Sequence, residues 1–243
     1  MPSSDAATRR STGRMVALLL CGTLVFLVAA LVTPWLLQTL RGGAVPAATA
    51  TAPTAGLPWQ IERRPDGSSR VFGLDLGHGT LQQAAHQWPE EPLQLALVRD
   101  AQGVLALEGY LERVDAGFVQ GKLVLSGTAA PATLQGWADR ATARAPQPSG
   151  TWRLTLSPSD HTAALAAPIA GLVFLPAARF DASTAVARFG PATERRTTQD
   201  GTVHLLYPEQ GVVVALDPQG RTKPVLQYVA PSDFQRLRAP LLR

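Results

Sequence analysis

Apolar residues along this chain follow three successive spacings. From Met15 to Leu40 they run without a single charged residue, MVALLLCGTLVFLVAALVTPWLLQTL. A run of that length is enough for a helix to cross the hydrocarbon core of a bilayer, where its backbone groups must be satisfied internally. Trp35 stands at the far end, where an indole suits the headgroup layer, and Pro34 is close enough to that end to be tolerated as a boundary. Arg9, Arg10 and Arg14 precede the run and only Arg41 follows it. The bias predicts a cytoplasmic tail over 1–14, a transmembrane helix over 15–40 and export of everything after it. The alternative is a cleaved signal, with the small residues of 44–50 as the processing site. In the second regime, 41–58, Gly, Ala, Pro and Thr follow one another without periodicity, which reads as a flexible tether.

The third regime mixes two periods. Leu81, Ala84, Ala85 and Trp88 fall on one helical face, with Thr80 as N-cap and Pro89 as stop. Three alternating runs then follow, 93–99, 104–114 and 118–126, separated by turns at 100–103 and around Gly117, and they predict an antiparallel meander. A helix is expected from Ala132 to Arg144, with Leu134, Trp137, Ala138 and Ala141 on one face. The Pro/Gly/Ser-rich stretch 145–150 reads as a break. Beyond it come TWRLTL (151–156) and a short helix after Ser157-Pro158. Next are a strand at 169–175, a helix from Ser183 to Phe189, strands at 202–207, 212–216 and 225–229, and a closing helix from Ser232 to Arg238.

Helix, meander and helix thus occur twice in succession. Gly73-Leu74 aligns with Gly171-Leu172, Thr80 with Thr184, and Trp88-Pro89 with Phe189-Gly190-Pro191. The expected fold class is α+β: transmembrane helix, tether, then two similar helix-plus-antiparallel-meander lobes over 59–145 and 151–243.

Composition adds exclusions. The chain of 243 residues has one cysteine and 22 basic against 18 acidic residues. A disulfide framework and a thiolate metal site are excluded. Setting aside the four arginines and the aspartate that flank the apolar run leaves 18 basic and 17 acidic residues. The high pI is therefore a property of the flanks, and no nucleic-acid surface is implied.

Candidate chemistry is sparse. There is no G-x-S-x-G elbow and no S-x-x-K. The two lysines, Lys122 and Lys223, sit near turns or strand ends and are expected to be solvated. His78, His86, His161 and His204 show no metal-ligand spacing, although His78 lies in a flexible Gly-His-Gly turn. Glu90-Glu91 fall in a loop between prolines. Glu108 and Glu112 share strand parity, so they fall on one sheet face as the only carboxylate pair suited to acid–base work, where an exposed polar face is the plainer explanation. Trp88, Trp137 and Phe189 are candidate core residues or the lining of a cavity between lobes. Trp59 and Phe234–Leu237 are surface candidates for a partner. No catalytic, cofactor-binding or metal site is assigned, and no cofactor is expected.

One stretch also carries a resemblance. A short helix ending in FGPATERR, then YPEQGVVVALD and GRTKPVLQYV, together spanning Ser183 to Val229, resemble the small outer-membrane assembly lipoproteins of the SmpA/OmlA (BamE) kind. Members of that family carry a lipid on an N-terminal cysteine. Here Cys21 follows Leu20 inside the apolar run instead. The resemblance implies a small helix-plus-sheet unit of the cell envelope that binds other proteins.

Taken together, these readings predict a single-pass inner-membrane protein with a periplasmic domain. Its expected partners are the bilayer through 15–40 and another envelope protein, and its expected role is non-catalytic interaction or scaffolding through an open sheet edge. The rivals are a small-molecule or lipid-binding envelope sensor or carrier, and an envelope enzyme using the carboxylates.

Overall fold

A computed structural model describes residues 56–242. The apolar run 15–40, the tail 1–14 and most of the tether lie outside these residues. Among the described residues no helix is long and apolar enough to cross a membrane. The expectation of a single-pass inner-membrane protein therefore meets no spanning helix here and is set aside.

Alternating sequence runs produce most of the strands. A small antiparallel sheet comprises β1 (Glu62–Arg63), β2 (Ser69–Val71) and β3 (Leu74–Leu76). Helix α1 (Leu81–Gln87) leads to β4 (Gln94–Arg99), β5 (Leu105–Ala116) and β6 (Val119–Gly127). Helix α2 (Pro131–Asp139) opens on a proline, which is tolerated in a first turn because its missing N–H has no intrahelical partner there. The chain then forms β7 (Ala143–Pro146), β8 (Trp152–Thr155) and α3 (Pro158–Leu165), the last capped by the Ser157 hydroxyl. After β9 (Ile169–Pro176) comes α4 (Ala182–Phe189), capped by Asp181 and ended by Gly190 at a φ of 87°. A meander of β10 (Glu194–Thr197), β11 (Val203–Tyr207), β12 (Val212–Leu216) and β13 (Val225–Tyr228) follows, and α5 (Gln235–Arg238) closes the chain within a run of 3-10 turns.

The expected pair of α+β lobes is corrected by the sheet topology. Strands β4 to β13 form one continuous antiparallel sheet in the order β10-β11-β12-β13-β9-β6-β5-β4-β8-β7, so the described residues are mostly β with five short α-helices among them. The anticipated halves are joined three times by ladder hydrogen bonds, at the β6/β9 seam and where β8 pairs with both β4 and β7. The stretch 145–150 includes the turn of the β7/β8 hairpin.

A repeat is present, but not the expected one. Outward from the seam, β6 and β9 each run into a helix that carries the chain to the outermost strand, β6–α2–β7 and β9–α4–β10. The second half then meanders inward through β13. The first half returns only to β8, because its inner strands β4 and β5 precede β6 in the chain. The two halves are circular permutations of one strand plan, in which α2 corresponds to α4. The aligned pair had been Thr80 and Thr184, which places α1 opposite α4.

First and last strands of each half run parallel, and a common crossover hand puts both helices on one face. That face carries the main core. Leu107, Leu123, Leu125, Leu172 and Phe174 pack there beneath Leu81, Trp137, Ala185 and Phe189. The β2/β3 corner contributes Phe72, held at a φ of 56°. A bulky residue pays about 1–2 kcal/mol for that conformation. Burial of its ring 5.1 Å from Phe174 and 5.4 Å from Tyr228 offsets the strain. The tether ends on the same core: Leu57 is buried, and the Pro58 carbonyl accepts a hydrogen bond from the Tyr228 hydroxyl at 3.0 Å.

Candidate functional site

The other face of the sheet is covered over part of its width. Phe234, Leu237 and Leu241 of the C-terminal segment pack on Leu206, Val213 and Val229. Toward the seam, Val124, Val173 and Val225 form a separate apolar row bordered by Tyr110, Leu175 and Ala215. A groove of about 140 Å3 opens beside this row, lined by Tyr110, Glu112, Arg113, Lys122, Leu175, Lys223 and Val225 among others.

Strand geometry explains how charged side chains reach this spot. Leu111 pairs with Leu123, and the next pairing is Val114 with Gly121, so Glu112 and Arg113 both face the single residue Lys122. Such a bulge re-aims side chains, and both Glu112 and Arg113 line the groove. Gly121 closes the same corner. A Cβ there would stand 2.6 Å from the Leu175 carbonyl oxygen and 2.5 Å from the Phe174 ring.

The polar groups form a short chain. The Tyr110 hydroxyl donates to Glu112 Oε2, and Lys122 Nζ lies 2.6 Å from Glu112 Oε1. Burial opposes the charge of Glu112, yet the Lys122 and Tyr110 contacts outweigh it and hold the carboxyl below its usual range. Burial, and then the Glu112 contact, push the Tyr110 phenol up. The Lys223 ammonium is brought down from its ordinary value by burial and by the nearby charges of Arg179 and Lys122. Cations are therefore crowded at the rim of an apolar floor.

The residues singled out from sequence separate. Glu108 and Glu112 do share a face, as their parity predicts, but they have different neighbours. Glu108 is buried between Ala96 and Ser126 on the adjacent strands, and burial pushes its carboxyl up to about 8 against the pull of Arg153. No histidine lines the groove. His78 is exposed and pairs with Asp66 at 3.0 Å, and His86 lies in the last turn of α1. Asp160, the neighbour of His161, is taken by Arg140 at 2.8 and 3.1 Å and by Ser157 at 2.7 Å. His204 lies in β11 with a buried Nδ1 that has no hydrogen-bond partner. Among the described residues no three His, Cys, Asp or Glu side chains gather to hold a metal ion.

The aromatic candidates belong to the scaffold. Trp137 and Phe189 are in the helix-side core and Trp88 packs against it. Trp59 sits 6.5 Å from the Phe189 ring and beneath the Arg188 guanidinium at 4.8 Å. Phe234 and Leu237 cover the second face.

Of the groove residues, sequence reasoning set the two lysines aside as solvated and did not single out Tyr110 or Arg113. Lys122 and Lys223 are half-buried rather than solvated. Their one sequence signal is scarcity, since no other lysine occurs in the chain. No family model, no curated protein and no solved structure matches the chain.

Proposed function

We propose that the protein is a non-catalytic binding module and that the groove at the seam is its ligand site. The observation that carries this reading is the placement of both lysines of the chain around an apolar floor at one end of the central strands β6, β9 and β13. Concave apolar surface with a few convergent polar groups is the usual form of a small-molecule site. Catalysis is the poorer reading because the groove groups are engaged with one another: Glu112 is held by Lys122 and Tyr110, and neither a paired nucleophile and base nor a histidine is present in the lining. Of the two binding roles read from sequence, the ligand-binding one thus gains most.

The sheet edges argue against strand addition as the mode of contact. β10 (ERRT) and β7 (ARAP) are four-residue strands bearing arginine or proline, features that blunt an edge. A second reading, a partner protein docked on the surface, draws on Phe118, which is 52% exposed with its ring 5.9 Å from Trp59.

Amine acetylation read by mass spectrometry tests the groove directly. Saturating 8-anilino-1-naphthalenesulfonate should slow modification of Lys122 and Lys223 together in the full-length chain. Leu175→Trp, which fills the floor, should remove that protection. Unchanged acetylation rates with the dye and also with slender octanoate and 1-octanol, each at saturation, would overturn the groove as ligand site.

A further inference from the structure

The groove has a charge pattern that specifies its occupant. Three cations line it, Arg113, Lys122 and Lys223, against one carboxylate, Glu112. That carboxylate is already bonded to Lys122 and to the Tyr110 hydroxyl. Arg179 adds a fourth positive charge close enough to act on Lys223. Below the charges lie Leu175, Val225 and the Tyr110 ring, continuous with buried Val124 and Val173.

Lysine suits such a boundary. Its methylene stem lies along apolar surface while the ammonium stays at the rim. The volume of about 140 Å3 is well below the ~300–1,000 Å3 of sites that enclose drug-sized molecules. A groove of that size suits a slender ligand lying over Leu175 and Val225.

Resting on the groove as the ligand site, we infer that its ligand is a single-tailed organic anion. Its carboxylate lies at Lys122 and Lys223 and its hydrocarbon tail over Leu175, Val225 and the Tyr110 ring. The repulsion and burial that depress the Lys223 ammonium support this. An anion between the lysines replaces lost hydration and offsets that repulsion.

Octanoate, 1-octanol and inorganic phosphate separate the contributions of head and tail. With the full-length chain, octanoate should protect both lysines from acetylation at roughly ten-fold lower concentration than 1-octanol, the difference expected for a charge-assisted contact. Phosphate at the same concentration should protect neither. Lys223→Gln should weaken octanoate binding about ten-fold by calorimetry, with Lys223→Arg retaining most of it. The thermal midpoint of neither variant should fall below that of the parent.

Equal protection by octanol and octanoate would overturn the anionic head, and equal protection by phosphate would overturn the tail, while the groove reading survives either result. If none of the three probes and not even the naphthalenesulfonate dye protects the lysines, the groove reading itself fails. An unchanged affinity of Lys223→Gln for octanoate would overturn the assignment of the head to this lysine.

Discussion

Glu108 shows how far one residue departs from its sequence neighbourhood. It is 8% exposed in the middle of β5, with Arg153 as the opposing charge that acts on it. The folded carboxyl titrates at about 8, against 4.5 for the unperturbed group. Between these values the unfolded chain has released its proton and the native chain still holds it. The unfolded state then binds fewer protons, so stability falls as pH rises through this window and levels off above it. Glu108→Gln removes the titration and keeps the shape. The variant should match the parent near pH 4.5 and exceed it by roughly 2–4 kcal/mol at pH 8–9, read from urea unfolding at each pH. A parallel pH profile for the two proteins would show that Glu108 does not titrate in this way. Strand parity made it legible that Glu108 and Glu112 share a face, since side chains alternate. The lysines were not legible. About a hundred positions separate Lys122 from Lys223, and they meet only because β6 and β13 both pair with β9.

At the scale of elements, legibility follows burial. β5, β6, β9 and β12 each bury alternate positions against the helices, and their runs were recognisable within one or two residues. β7 and β10 were not, because ARAP and ERRT are almost wholly exposed and owe their extended form to the ladder partner alone. The same effect shortens α2, which stops at Asp139 instead of Arg144 because Ala143–Pro146 pairs with β8. The seam between β6 and β9 depends on close backbone approach, and Gly121 permits it. A methyl there meets the Leu175 carbonyl and the Phe174 ring, one rigid and the other buried. Gly121→Ala should therefore destabilise the protein by about 1–3 kcal/mol, the range for overpacking a filled site. The measurement is the urea midpoint at constant m-value, and a midpoint at or above that of the parent would mean that the seam relaxes without cost.

For the whole molecule, the decisive fact is that the two permuted halves share one sheet. The sequence order of helix and meander suggested lobes that close separately, and it suggested this because local periodicity records strands but not their long-range partners. β6 finds its second neighbour in β9, beyond the 145–150 turn, and β4 finds its second neighbour in β8 across the same point. A chain ending at residue 150 leaves β4 and β6 each with one open side and loses half of the core beneath α4. A chain starting at 151 strands β8 without β4 or β7, opens β9 at the seam, and lacks Phe72, which packs between Phe174 and Tyr228. Exposed strand sides in both fragments would pair non-specifically. The full-length chain should consequently unfold in a single transition, with far-UV and near-UV circular dichroism coincident in urea. Fragments 1–150 and 151–243 should each show no cooperative transition alone and regain it when mixed. Two separated transitions in the full chain, or sharp unfolding of either fragment by itself, would restore the lobes and remove the shared sheet on which the groove is built.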